Sequence, residues 1–147
     1  MDGREFMMMD NHGGGLGMIV RILVADDHMA VRESLVRGLK YEANVEVVAE
    51  AEDGCAAVEL TKQFQPDVVL MDISMPRLNG IEATRQIMAQ CPSVRVLGLS
   101  VHDSKQYADA MLKAGASGYV VKDGDLDELI KAVNAVVQGQ TYCNPQF

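Results

Sequence analysis

From Ile19 onward the chain repeats one unit: a short run of Val, Ile and Leu, then a stretch whose apolar residues recur at helical spacing. The runs fall at 20–25, 45–49, 68–71, 94–99 and 118–121. Most lack polar alternation, as strands covered on both faces should. Between them Val31, Leu35, Val36 and Leu39 share one helical face, and Leu126, Leu129, Ile130, Val133, Val136 and Val137 repeat that pattern. Asp53-Gly54, Asn79-Gly80 and Asp103-Ser104 stand where N-caps or turns belong, and Gly115 where a helix C-cap would fall. Five such units make an α/β chain, (βα)5. That rhythm implies a doubly wound parallel sheet with right-handed crossovers and helices on both faces.

Such a sheet binds its ligands beyond the carboxyl ends of the strands, where the strand order reverses. Those ends are chemically unusual here. The first run ends in Asp26-Asp27, the third in Asp72, the fourth in Ser100 and the fifth in Lys122. Singly, each has a plain explanation: Asp26-Asp27 as helix N-caps, Asp72 as a turn former, Ser100 as a loop start, Lys122 as a solvated charge. Their coincidence on one rim does not. If the first and third strands are neighbours, three carboxylates converge and repel, so without a cation at least one pKa must rise. An all-oxygen set suits Mg²⁺, with Mn²⁺ a second choice. Phosphoryl transfer needs a nucleophile and charge neutralisation, and an aspartate can be that nucleophile. Asp72, alone and central, is the candidate, with Lys122 as the compensating cation and Ser100 as a hydrogen-bond donor.

Composition narrows the field. A chain of 147 residues fits one domain and needs no disulfide or metal to hold its core. A net charge of −8 argues against this chain gripping nucleic acid by itself. No apolar run is long enough to span a membrane. Cys55, Cys91 and Cys143 are odd in number and widely spaced, so they read as small buried hydrophobes in a reducing, cytoplasmic setting. Residues 1–18 lack a signal-peptide core, and their glycines precede a strand without the GK[ST] of a phosphate loop; they read as a disordered leader. His28 and His102 lie near the rim but are expected to be accessory or solvent-facing. Met29, Met71, Met75, Met88 and Met111 are expected to pack or line the rim.

The segments ILVADDH, PDVVLMDISMPRLNGIEATR, VLGLSVHD and AGASGYVVKD resemble the receiver domain of two-component response regulators, closest to the NarL/FixJ subfamily. The resemblance spans residues 19–139 and implies a flavodoxin-like fold with strand order 2-1-3-4-5. It implies Asp72 as the residue phosphorylated by a sensor histidine kinase. Mg²⁺ would be held by Asp72, by Asp27 directly, by Asp26 through water and by the Ser74 backbone carbonyl. Ser100 matches the switch hydroxyl, Tyr119 the switch aromatic and Lys122 the phosphate-binding lysine. Such a domain is a phospho-acceptor with slow self-dephosphorylation at most, not a turnover enzyme.

Subfamily members usually dimerise on phosphorylation and continue into a LuxR-type helix-turn-helix domain. Residues 140–147, QTYCNPQF, therefore read as the start of a linker, with any DNA contact made beyond it. One departure concerns Lys122, which many receivers follow with a proline, often cis. Here Asp123 follows, and a cis non-proline bond costs about 3–4 kcal/mol, which leaves the isomer open. Two other classes fit these residues less well. A haloacid-dehalogenase-type phosphatase would carry a second carboxylate at position 74, which is Ser, and a cap domain. A flavodoxin-like cofactor binder would need a Ser/Thr/Gly-rich loop where Asp26-Asp27-His28 stands.

Overall fold

A computed structural model describes residues 19–101, 104–122 and 125–144. His102 and Asp123, with the peptide isomer at Lys122, lie outside the described residues, as does the 1–18 leader. The chain alternates β1 (Val20–Ala25), α1 (Met29–Leu39), β2 (Val45–Ala51), α2 (Gly54–Phe64), β3 (Val68–Asp72), α3 (Gly80–Gln90), β4 (Arg95–Ser100), α4 (Lys105–Lys113), β5 (Gly118–Val121), α5 (Leu126–Val137) and β6 (Tyr142–Asn144). The strands lie in the order β2-β1-β3-β4-β5-β6, all parallel. This is the expected flavodoxin-like sheet with one strand more: Tyr142–Asn144, inside the stretch expected to begin a linker, pairs with β5.

Period-two alternation sends each strand's side chains into two separate cores. Ile22, Val24, Val68, Leu70, Leu97, Leu99 and Val120 meet Val36 and Leu39 of α1 and Leu129, Val133 and Val136 of α5. Leu23, Ala25, Val69, Met71, Val96 and Tyr119 face the opposite way, onto Ala57, Val58, Ala83, Ile87, Ala108 and Met111 of α2, α3 and α4. β3 is buried along its whole length, which is why it reads as an unbroken apolar run.

The predicted caps are largely present. Asp53 accepts a hydrogen bond from Ala56 N (2.7 Å) and Asn79 from Glu82 N (2.9 Å), while Ser104 occupies its N-cap position without a side-chain bond. Gly115 takes a positive φ of 109° just after α4. Two expectations for isolated residues need correction. Cys91 is buried and Cys143 partly so, but Cys55 is exposed on the first turn of α2. Met29 projects into solvent at 62% exposure, whereas Met71 and Met111 are fully enclosed.

Candidate phosphoacceptor site

β1 is paired with β2 on one side and with β3 on the other, so the strand order reverses at its carboxyl end. Asp26 follows that end directly, its N–H bonded to Ala51 O at 3.0 Å, and Asp72 closes β3. Both are buried, Asp26 completely and Asp72 at 4% exposure. Neither Asp26 nor Asp27 caps α1; the N-cap is His28, and Asp26 Oδ1 instead accepts from His28 N at 2.9 Å.

Lys122 leaves β5 and reaches back across the rim. Its Nζ lies 2.6 Å from Asp26 Oδ2 and 3.1 Å from Asp72 Oδ1, a bridge between two buried carboxylates. Its backbone N–H donates to Ser100 O (2.7 Å), which fastens the end of β5 to the end of β4. Ser100 is itself buried at 2% exposure. The five side chains expected on the rim thus occupy it together. Ser74 lies exposed in the loop two residues past Asp72, and Tyr119 sits below the rim, fully buried in the α2–α4 core.

The aspartate followed by a turn now has a geometric reason. A Cβ on Gly80 would come within 2.1 Å of Asp72 O, and Gly80 N donates to Ile73 O at 2.8 Å. The start of α3 therefore passes directly over the acceptor backbone, which only glycine permits. The same loop leans on α2, where a Cβ at Gly54 would overlap Leu78 O at 1.8 Å. Arg77, held in the left-handed region at φ 68°, reaches Asp53 Oδ2 at 3.6 Å.

Two acceptors in this site accept no hydrogen bond, although the exposed His28 ring stands 3.2 Å from one of them. Among the described residues, Asp27 Oδ1 and Asp72 Oδ2 are the buried side-chain oxygens without a hydrogen bond. Burial pushes the Asp72 carboxyl up from 3.8 to about 6; Lys122 pulls it down, and Asp26 adds to the rise. Asp26, Asp27, His28 and Asp72 can each present a ligand atom within 4.8 Å of the others. An orphaned pair of carboxylate oxygens in an acidic cluster fits a hard divalent cation.

Sequence reasoning placed His28 near the rim in an accessory role and missed Arg32. His28 joins the cluster, with Nδ1 3.2 Å from Asp27 Oδ1 and 3.5 Å from Asp26 Oδ1, although its ring is 70% exposed. Arg32, one helical turn on, donates through Nη1 to Asp26 O (2.7 Å) and pairs with Glu50 at 3.2 Å. Its i+4 spacing from His28, on the helix leaving the acidic turn, was the available signal.

Comparison with known proteins agrees with this geometry. Residues 22–134 match the family model described as the response regulator receiver domain. Over 127 residues the chain is 50% identical to the transcriptional regulatory protein DegU of Brevibacillus brevis, covering 86% of this chain and 54% of DegU. It therefore spans about half the length of that curated relative. The crystal structure of a LuxR-family two-component response regulator from an Aurantimonas species superposes with a TM-score of 0.82 at 39% identity, covering 86% of this chain and 90% of that one. The signal receiver domain of NarL from Mycobacterium tuberculosis gives 0.79 at 40% identity, with 82% and 98% covered. With the paired acidic turn, the lone aspartate and the bridging lysine in place, the chain belongs to the response regulator receiver domain family.

Proposed function

We propose that Asp72 accepts a phosphoryl group from a sensor histidine kinase, and that this controls a transcriptional output carried by a helix-turn-helix domain. The observation that carries the reading is the Lys122 bridge beside two buried carboxylate oxygens that accept no hydrogen bond. Asp27 Oδ1 and Asp72 Oδ2 are the acceptors left for Mg²⁺ or Mn²⁺. Asp26, with both oxygens already engaged, would hold the ion through water, and the Ser74 backbone carbonyl would complete the protein ligands. When bound, the ion neutralises charge on the donor's phosphoryl oxygens.

Lys122 beside Asp72 opposes the effect of burial, and with the Asp72 carboxyl at about 6 the carboxylate form needed for attack is available near neutral pH. In the transfer the bond between phosphorus and the donor's imidazole nitrogen breaks as an oxygen–phosphorus bond forms on Asp72, giving an acyl phosphate. Ser100 then donates to a phosphoryl oxygen, with Tyr119 as the aromatic that senses it. Tyr119 is already fully inward in this structure, so the switch is read as holding that position and not as bringing the ring in from the surface.

An apolar groove of about 570 Å³ between α1 and α5 is lined by Val31, Leu35, Val101, Leu126 and, on the rim side, Lys122. Among the described residues no helix is long and apolar enough to cross a membrane, and the module is read as cytoplasmic. Acetyl phosphate with Mg²⁺ should raise the intact mass by one phosphoryl group, and Asp72→Asn should abolish the gain. Full labelling of that variant would remove Asp72 from the role. Phosphorylation is also expected to promote self-association. Light scattering on the beryllofluoride complex tests this, and an unchanged monomer mass over a wide concentration range would defeat it.

A further inference from the structure

β6 is three residues long, yet it is held from three directions. Its backbone pairs with β5, with Tyr142 N donating to Ser117 O at 3.1 Å and Cys143 opposite Tyr119. Its side chains alternate between the two cores: Tyr142 packs with the α1/α5 cluster and Cys143 with the cluster that contains Tyr119. Glu128 of α5 grips it from outside, Oε1 accepting from both the Tyr142 hydroxyl and Asn144 Nδ2, the latter at 2.6 Å. That carboxylate pushes the Tyr142 phenol up to about 12, so the hydroxyl remains a donor.

β5 is shaped to admit this strand. A Cβ on Gly118 would lie 2.3 Å from Tyr142 O. The same short strand carries Tyr119 and runs directly into Lys122. Whatever shifts β5 toward the rim therefore shifts the edge on which Tyr142–Asn144 rests. In this structure the docked strand and the fully inward Tyr119 occur together.

We propose that Tyr142–Asn144 is a detachable strap on the β5 edge, latched by Glu128, whose docking is strengthened through Tyr119 when Asp72 is phosphorylated. The coupling rests on the reading of Asp72 given above; the latch does not. By reciprocity a freed strap weakens retention of the inward, phosphoryl-favoured state. The strap would thus set how tightly the chain leaving the receiver is tethered to it.

The cysteines supply the test. Alkylation of the 147-residue chain, resolved by peptide mass spectrometry, reads Cys143 on the strap against exposed Cys55 and buried Cys91 in the same molecule. Without phosphodonor, Glu128→Ala should speed Cys143 alkylation relative to Cys55 about tenfold, as expected for two lost hydrogen bonds. Glu128→Gln, which keeps an acceptor oxygen, should stay near wild type. The pair Tyr142→Phe and Asn144→Ala, which leaves α5 untouched, should repeat the Glu128→Ala result. An unchanged Cys143 rate in both the Glu128→Ala and the paired variant overturns the latch.

Beryllofluoride with Mg²⁺ should then slow Cys143 in wild type, and much less in Glu128→Ala. Amide shifts of Asp72 and Lys122 are followed in the same samples. If those shifts appear and Cys143 does not slow, the coupling falls while the phosphoacceptor reading stands. If they fail to appear, the phosphoacceptor reading falls and takes the coupling with it.

Discussion

At the amino end of the sheet, charge is matched to charge and donor to acceptor. Asp67 accepts the Arg21 N–H at 2.8 Å and returns its own N–H to Arg21 O at 2.8 Å, and its carbonyl takes Arg95 N at 3.1 Å. The Arg21 guanidinium satisfies Gln65 O (2.8 Å), the carbonyl of the left-handed residue that ends α2, and faces Glu46 at 3.9 Å. At the carboxyl end, three carboxylates cluster, one ammonium bridges two of them, and two of their buried oxygens accept no hydrogen bond. Both rims are made of the same few residue types on the same strands. One completes its bonding within the chain, and the other leaves bonding capacity for something that arrives from outside.

Removing a carboxylate should therefore act with opposite sign at the two rims, while removing the bridging cation should destabilise. The largest effect is expected for Lys122→Met, which leaves fully buried Asp26 without its cation. Denaturant unfolding at pH 7 without divalent ions should show a loss of about 3 kcal/mol, with added Mg²⁺ restoring part of it. A variant as stable as wild type would mean that the bridge does not hold the rim together.

Asp72→Asn should do the reverse. The folded-state pKa of Asp72 is raised from 3.8 to about 6, so the native state binds more protons than the unfolded one between those values. Wild-type stability must then fall as pH rises from about 4 to about 6. The Asn variant escapes this and should gain about 1–3 kcal/mol at pH 7 without Mg²⁺. The gain should vanish below about pH 4, where Asp72 is protonated in both states. A gain that persists at low pH would point to packing and not to charge.

The smallest of the three effects is expected at the amino rim. Asp67→Ala strands a partly buried Arg21 N–H and should cost about 1–2 kcal/mol, with no change in phosphoryl labelling at Asp72. A stabilised Asp67→Ala protein would erase the contrast between the rims.

Much of this was legible in the chain because the parallel sheet is written as apolar runs with punctuation. β1 and β5 occupy the residues read as strands, and β3 differs only by including Asp72. β4 begins one residue later than its apolar run because Val94 is taken into a turn, its N–H bonded to Cys91 O at 3.1 Å. Asp26, Asp27, Asp72, Ser100 and Lys122 stood out because polar residues at the ends of buried strands violate the local pattern. β6 could not be read that way. TYCN has no run and no period, and Pro145 follows it; its extended shape comes from the open edge of β5 and from Glu128, both distant in sequence. The depth of Tyr119 was equally invisible, since an aromatic flanked by Gly and Val fits either face of a strand until the neighbouring helices are placed.

Asp26 and Lys122 are 96 positions apart, and every strand pairing in the sheet is parallel. No two neighbouring strands can form first as a hairpin, and such non-local contacts close late and slowly. The lysine that completes the acidic rim arrives only when the fifth strand has been laid beside the fourth. A nascent or partly folded chain consequently carries the aspartates without the bridge. On the proposed reading of Asp72, competence to be charged with phosphate doubles as a certificate of completed folding, open only to molecules whose first and last thirds have already met.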